Sequence, residues 1–148
     1  MICSKIDTIK EKRRKACNNL ESALKTERGT SEARTEAVMR RQQAKQSGMC
    51  NGCGRNDVHL NQDGYCSSCT AAMNRMLQFK SKLAVEWPKE RRLRTFIEDY
   101  KKVTNPPYSL RGSADRSDII EMAEYLLDVV IELDYETKKL NTTRRDNE

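Results

Sequence analysis

Four cysteines, Cys50, Cys53, Cys66 and Cys69, form two Cys-x-x-Cys pairs with twelve residues between them, in the stretch MCNGCGRNDVHLNQDGYCSSCT at positions 49–70. Each pair can present two thiolates to one ion from a tight turn. A gap of this length lets the chain double back so that the second pair completes a tetrahedron, which predicts a structural Zn2+ site. Gly52, Gly54 and Gly64 stand where such turns need unusual backbone angles or close approach. Two disulfides or inert thiols are the alternative, and the lack of any secretory feature weighs against them. A closed four-cysteine site dictates how a segment folds and says little about what the segment binds.

The run Cys50-Asn-Gly-Cys53-Gly54-Arg55, then Gly64-Tyr65-Cys66-Ser-Ser-Cys69 leading into a helical pattern, resembles the treble-clef zinc knuckle of the short zinc-bearing bacterial small-subunit ribosomal proteins. The resemblance spans residues 49–77. It implies the four thiolate ligands, a short β-hairpin between the pairs, and a helix opening at the second pair. It does not carry ribosome membership to the long flanking segments.

The flanks determine the rest of the expected fold. Of 148 residues, 36% are hydrophobic, 5% aromatic and 34% charged, too little apolar material for a large spherical core. The expected class is therefore all-α, with a central small knuckle and amphipathic terminal helices. Three segments are expected: a helical hairpin over 1–46, the knuckle with its following helix over 47–87, and a helical segment over 88–148 with a frayed tail from 141. No run approaches the ~20 apolar residues of a membrane span, and MICSKIDTIK has no apolar signal-peptide core, so the expectation is a soluble, cytoplasmic protein. Cys3 and Cys17 fall outside the metal set and are expected to be free thiols.

Apolar spacing predicts the helices. Ile2, Ile6, Ile9, Arg13, Ala16, Leu20 and Ala23 alternate at steps of three and four, a coiled-coil-like seam on a helix from Ser4 to Arg28. Gly29 ends it, Thr30 or Ser31 caps the next, and a mostly solvated helix covers Glu32 to Lys45. Ala71 to Phe79 extend a helix from the second cysteine pair to about Val85. Trp87-Pro88 breaks it, with a new helix running from Pro88 at its first turn to Val103. The last helix is capped by Asp115 or Ser117 and carries Ile119, Met122, Leu126, Val129, Leu133, Glu136 and Leu140 on a broad apolar face. That face is expected to pack antiparallel on the N-terminal helix, basic against acidic positions, or else to form a homodimer seam.

Charge is uneven in the same order. Residues 1–46 hold twelve Lys/Arg against six Asp/Glu, residues 75–111 ten against four, and residues 112–148 five against ten. Arg75, Lys80, Lys82, Lys89, Arg91, Arg92 and Arg94 follow the knuckle closely and are the candidate phosphate contacts, with Trp87 and Tyr108 placed to stack on unpaired bases. The leading expectation is a non-enzymatic, regulatory zinc protein that binds nucleic acid or a nucleoprotein machine. The alternative is an adaptor or inhibitor docking on a larger complex, such as RNA polymerase, a nuclease complex or the ribosome, through its zinc knuckle and its amphipathic helices, with Leu126 and Val129 as docking residues. Catalysis is not expected: a zinc held by four thiolates has no open position, and His59 with Asn61 is a poor remnant of an HNH nuclease.

Overall fold

A computed structural model describes residues 5–25, 31–83, 85–112 and 114–146. Among them are five α-helices and one short 3-10 turn: α1 (Lys5–Lys25), α2 (Ser31–Ser47), α3 (Ser67–Leu83), α4 (Glu90–Lys102), the turn Tyr108–Leu110, and α5 (Arg116–Asp146). The mainly helical class is as the sequence implies. The β-hairpin is not formed. Among the described residues the only β pairing is one antiparallel bridge, Leu60 to Cys66. The connecting chain turns on Asn61 instead, whose Oδ1 accepts from the N–H groups of Asp63 (2.9 Å) and Tyr65 (3.0 Å), so a side chain takes bonds that a strand ladder would need.

Proline moves one boundary. Pro88 was expected inside the first turn of the fourth helix, yet α4 begins at Glu90 with Lys89 as its N-cap in extended conformation. The first intrahelical bond runs from Leu93 N–H to the Lys89 carbonyl at 3.0 Å, so Pro88 sits before the helix and stiffens the approach. At the other end, α5 stays helical to Asp146, past the expected onset of fraying at 141. The expected end of the first helix at Gly29 and the expected cap Thr30, with Ile2 and Cys3, lie outside the described residues, and the other expected cap, Ser31, is the first residue of α2.

The apolar stripes of α1 and α5 meet within one chain. Ile9 is buried with Val129 and Leu133, while Ala16, Leu20 and Leu24 join Ile119, Ala123, Leu126 and Val130 in the main core. The pair is antiparallel: Lys5 Nζ lies 3.0 Å from Glu136 Oε1 at one end, and Gly112, just before α5, lies against the Ala23 carbonyl at the other. Of the acidic positions of α5 expected to meet α1, namely Glu121, Glu124, Asp128, Glu132 and Asp134, Glu124 is taken by Lys101 of α4 at 3.3 Å, and Lys5 pairs instead with Glu136, one turn beyond Glu132. Leu126 and Val129, proposed from sequence as docking residues, are thus inside the molecule, with Leu126 at 0% exposure. The wide face is covered by α1. Leu126→Ala should cost about 2–5 kcal/mol, read as a fall in the urea midpoint at unchanged m-value.

Helices α3 and α4 complete the core. Met76, Phe79 and Leu83 of α3 pack with Leu93, Phe96 and Tyr100 of α4, where the Phe79 and Phe96 rings stack with centroids 4.3 Å apart. Arg75 of α3 grips Asp99 of α4 through two bonds of 2.8 Å, Nε to Oδ2 and Nη2 to Oδ1. Asp99 is the one buried charged side chain among the described residues. The bidentate pair supplies its counter-charge and fixes the register of the two helices.

Candidate metal centre and basic groove

Cys50, Cys53 and Gly54 form a tight turn. The Gly54 N–H donates to the Cys50 carbonyl at 2.9 Å, and Gly54 has φ +78°, where an L side chain would strain the backbone. The second pair sits at the start of α3: Cys66 precedes Ser67, and Cys69 is in the first turn. The returning chain is closed by Asn51 N–H to the Gly64 carbonyl at 2.8 Å. Gly52 must lack a side chain, because a Cβ there would stand 2.9 Å from Cys69 Sγ.

All four sulfurs lie within 4.8 Å of one another, and no described cysteine is in a disulfide. Cys53 Sγ and Cys66 Sγ are 3.8 Å apart. A tetrahedral ion at the usual metal–thiolate distance of about 2.3 Å requires sulfur edges of about 3.8 Å, so the donor set fits. Backbone donors already point at the sulfurs: Gly52 and Cys66 N–H at Cys50 Sγ (3.3 Å each), and Cys69 N–H at Cys66 Sγ (3.5 Å). Burial opposes ionisation of Cys50, but hydrogen bonds from the backbone of Cys53, Cys66 and Gly52 outweigh it and bring the thiol down to about 6. Burial pushes Cys53 and Cys69 the other way, and for Cys69 the neighbouring sulfurs add to it. Four anionic sulfurs this close need a cation between them. The arrangement can hold a metal ion in a closed shell of four thiolates.

The knuckle is tied to the helices by a loop that carries no periodic signal. Thr104 N–H and hydroxyl both donate to the Gly52 carbonyl, Asn105 Nδ2 donates to the Asn51 carbonyl at 2.7 Å, and the Tyr65 hydroxyl donates to the Asn105 carbonyl at 2.9 Å. α2 closes the other side, with Ala44 against Gly64 and Arg41 Nε 3.1 Å from Asp63 Oδ1. His59 is exposed on the connection between the pairs. Cys17 is a buried thiol away from the cluster, its pKa raised by that burial.

The seven basic residues picked out by sequence do not all come together. Arg75, Lys82, Arg91 and Arg92 line one groove of about 350 Å³ between α3 and α4, floored by Phe79, Leu83, Pro88 and Phe96. Arg75 is engaged by Asp99 and Arg92 by Glu86, whereas Lys82 and Arg91 have no acidic partner among the described residues. Lys80 faces elsewhere and donates to the Ser109 carbonyl. Lys89 and Arg94 line a second, more open depression with Glu90, Glu98 and Asp134 of α5, which Arg91 also borders, and Arg94 pairs with Glu90 at 3.0 Å.

The aromatic platforms are partly occupied. Trp87 is 43% exposed, with the Arg13 guanidinium 4.5 Å from its ring centroid, and Tyr108 lies half-buried in the 3-10 turn next to Arg40 and Arg41. Sequence reasoning did not single out Arg40, Arg111 and Arg116, which line a second cavity near the start of α5. They lie 71 and 5 positions apart in the chain, and no local pattern joins them.

No protein-family model matches this chain, and comparison with curated proteins and with solved structures finds no match either. What stands of the zinc-knuckle reading is the gathering of the four cysteines, and no relative supports a likeness to ribosomal proteins.

Proposed function

We propose that this is a non-enzymatic zinc protein in which Cys50, Cys53, Cys66 and Cys69 hold one Zn2+ and organise a basic groove that binds nucleic acid, alone or within a nucleoprotein machine. Thiolates in a tetrahedral, closed set suit zinc above harder cations, and a site with no open position serves structure. The observation that carries the binding reading is the convergence of Arg75, Lys82, Arg91 and Arg92 on one groove from two helices. Lys82 and Arg91 are the first residues for phosphate contacts, since neither has an acidic partner among the described residues, while Arg75 is held by the buried Asp99 and Arg92 is paired with the exposed Glu86.

Each phosphate contact made by a cation releases counterions and adds about 0.7–0.9 to the slope of log affinity against log salt. The double variant Lys82→Gln/Arg91→Gln should therefore bind short DNA or RNA oligonucleotides more weakly and with a slope shallower by about 1.5. Titrations at several salt concentrations measure both. An unchanged slope would remove these two residues from the interface.

One observation favours the adaptor reading as an alternative. Phe79 and Phe96 stack on each other at 4.3 Å and use their faces internally, leaving an apolar floor suited to an acidic peptide with an apolar side chain more than to a base. Affinity purification at physiological salt, with and without nuclease, separates the two. Nucleic acid recovered, with proteins lost on digestion, fits the groove as a phosphate binder. One stoichiometric protein complex that survives digestion fits the adaptor.

A further inference from the structure

We infer that the cavity between α2, the end of α4 and the start of α5 is a binding site for a single phosphate group, held by Arg40, Arg111 and Arg116. The cavity is about 230 Å³ and is also lined by Thr104, Asn105 and Asp115. It is separate from the α3–α4 groove, and the inference does not depend on what that groove binds.

Three arginines line this cavity from three elements: α2, the segment after the 3-10 turn, and the first residue of α5. Gathering like charges is unfavourable unless anions compensate. One carboxylate, Glu36, serves two of them, pairing with Arg40 and lying 3.1 Å from Arg111 Nη1. Arg116 has no acid partner among the described residues: its Nη2 donates to the carbonyls of Tyr100 (2.7 Å) and Lys101 (3.1 Å), and its buried Nε has no acceptor. The Arg116 guanidinium is thus met by carbonyl dipoles and by no carboxylate, so its charge is left for an anion to answer.

Charge and shape then select the ligand. Three guanidiniums against Glu36 and Asp115 leave one net positive charge, which a phosphodiester or a phosphate monoanion neutralises. Each guanidinium carries five N–H groups in a planar fork, so most donors stay unused after the bonds above. Forks that approach from separate elements suit a tetrahedral oxyanion better than a planar carboxylate. The cavity equals several times the ~30 Å³ that one water occupies, enough for a phosphate and part of its substituent.

Asp115 supplies a test that a merely structural role would not pass. It lines the cavity, and its carbonyl accepts the first helical bond of α5 from Ile119 N–H at 3.0 Å, which is the N-cap position. Asparagine caps a helix as well as aspartate does, so Asp115→Asn removes one repelling charge and leaves the fold intact. Inorganic phosphate should be titrated into the full zinc-loaded chain at constant ionic strength, following the arginine Nε–H signals by NMR. Saturable shifts are expected, weakened roughly tenfold or more by Arg40→Gln and strengthened several-fold by Asp115→Asn. No saturable shift in the parent chain, or the same affinity in both variants, would overturn the site. An oligonucleotide that displaces the phosphate identifies a backbone phosphate as its source, and one that does not identifies free phosphate or a phosphorylated small molecule.

Discussion

Cys66→Ser is expected to abolish stoichiometric zinc binding and to lower the melting temperature by about 10 °C or more. A serine hydroxyl stays protonated near neutrality and is a poor replacement for a thiolate. Cys66 is also the residue through which the site is assembled. Its N–H donates to Cys50 Sγ, its sulfur accepts from Cys69 N–H, it bridges to Leu60, and its carbonyl accepts from Thr70 N–H at 2.9 Å. Structural zinc contributes on the order of 10 kcal/mol to the folding of small zinc modules. Losing only part of that, at about 2–4 °C per kcal/mol for a chain of this size, gives the expected shift. Hydrogen exchange should rise first over Met49 to Leu77 and at Thr104 and Asn105, whose bonds end on the carbonyls of Gly52 and Asn51. A strong chelator should bring the parent chain to the same state and leave the variant unaffected. Retention of one equivalent of zinc with an unchanged melting curve would show that these thiols do not form the organising site.

Periodicity made the helices legible and left their partners undetermined. Leu20, Leu126 and their neighbours mark a stripe because burial repeats with the helical turn. The stripe says that a face is covered, and either a second copy or the chain's own α1 satisfies it. In the folded chain α1 covers it: Ile9 is buried with Val129 and Leu133, Lys5 reaches Glu136, and Gly112 lies against Ala23. The cysteine spacing was fully informative about the cluster because four ligands of one ion must converge. The connection between the pairs was less so: a hairpin and a side-chain-closed loop use the same residues, and Asn61 decides between them by accepting two backbone bonds.

Charge was the least legible feature. A run such as Lys89-Glu90-Arg91-Arg92-Leu93-Arg94 shows how many cations are near one another and nothing about which are already paired. In the folded chain Arg92 and Arg94 answer Glu86 and Glu90, and Arg75 answers Asp99 across 24 positions. Exposed pairs of this kind contribute little to stability, so Arg92 and Arg94 can exchange partners at small cost. Arg75 holds a carboxylate that is buried and is committed to it. The same reasoning applies to Trp87: its place beside the basic run suggests stacking on a base, and in the folded chain the Arg13 guanidinium lies over its ring.

Gly112→Ala is expected to be among the most damaging single substitutions outside the metal site, although nothing in the local sequence marks it. A Cβ at Gly112 would stand 0.9 Å from the Ala23 carbonyl oxygen, 2.0 Å from its carbonyl carbon and 2.9 Å from Leu24 N. These are backbone atoms of the last turn of α1, so no side chain can rotate away. The chain entering α5 and the end of α1 must instead separate, at a place where Leu24 and Leu110 are both fully buried. Ordinary overpacking costs about 1–3 kcal/mol. Overlap with a main chain that cannot yield should exceed that, lowering the melting temperature by about 10 °C or abolishing soluble expression. Gly48→Ala is the control. Gly48 has φ +71° with open space around its Cβ position, so only the left-handed backbone is penalised, by about 1 kcal/mol. Zinc content distinguishes this effect from that of Cys66→Ser: Gly112→Ala should retain its metal at temperatures where α1 and α5 have parted. A melting temperature equal to that of Gly48→Ala would mean that α1 does not end against the start of α5, and the antiparallel pairing of the terminal helices would have to be redrawn.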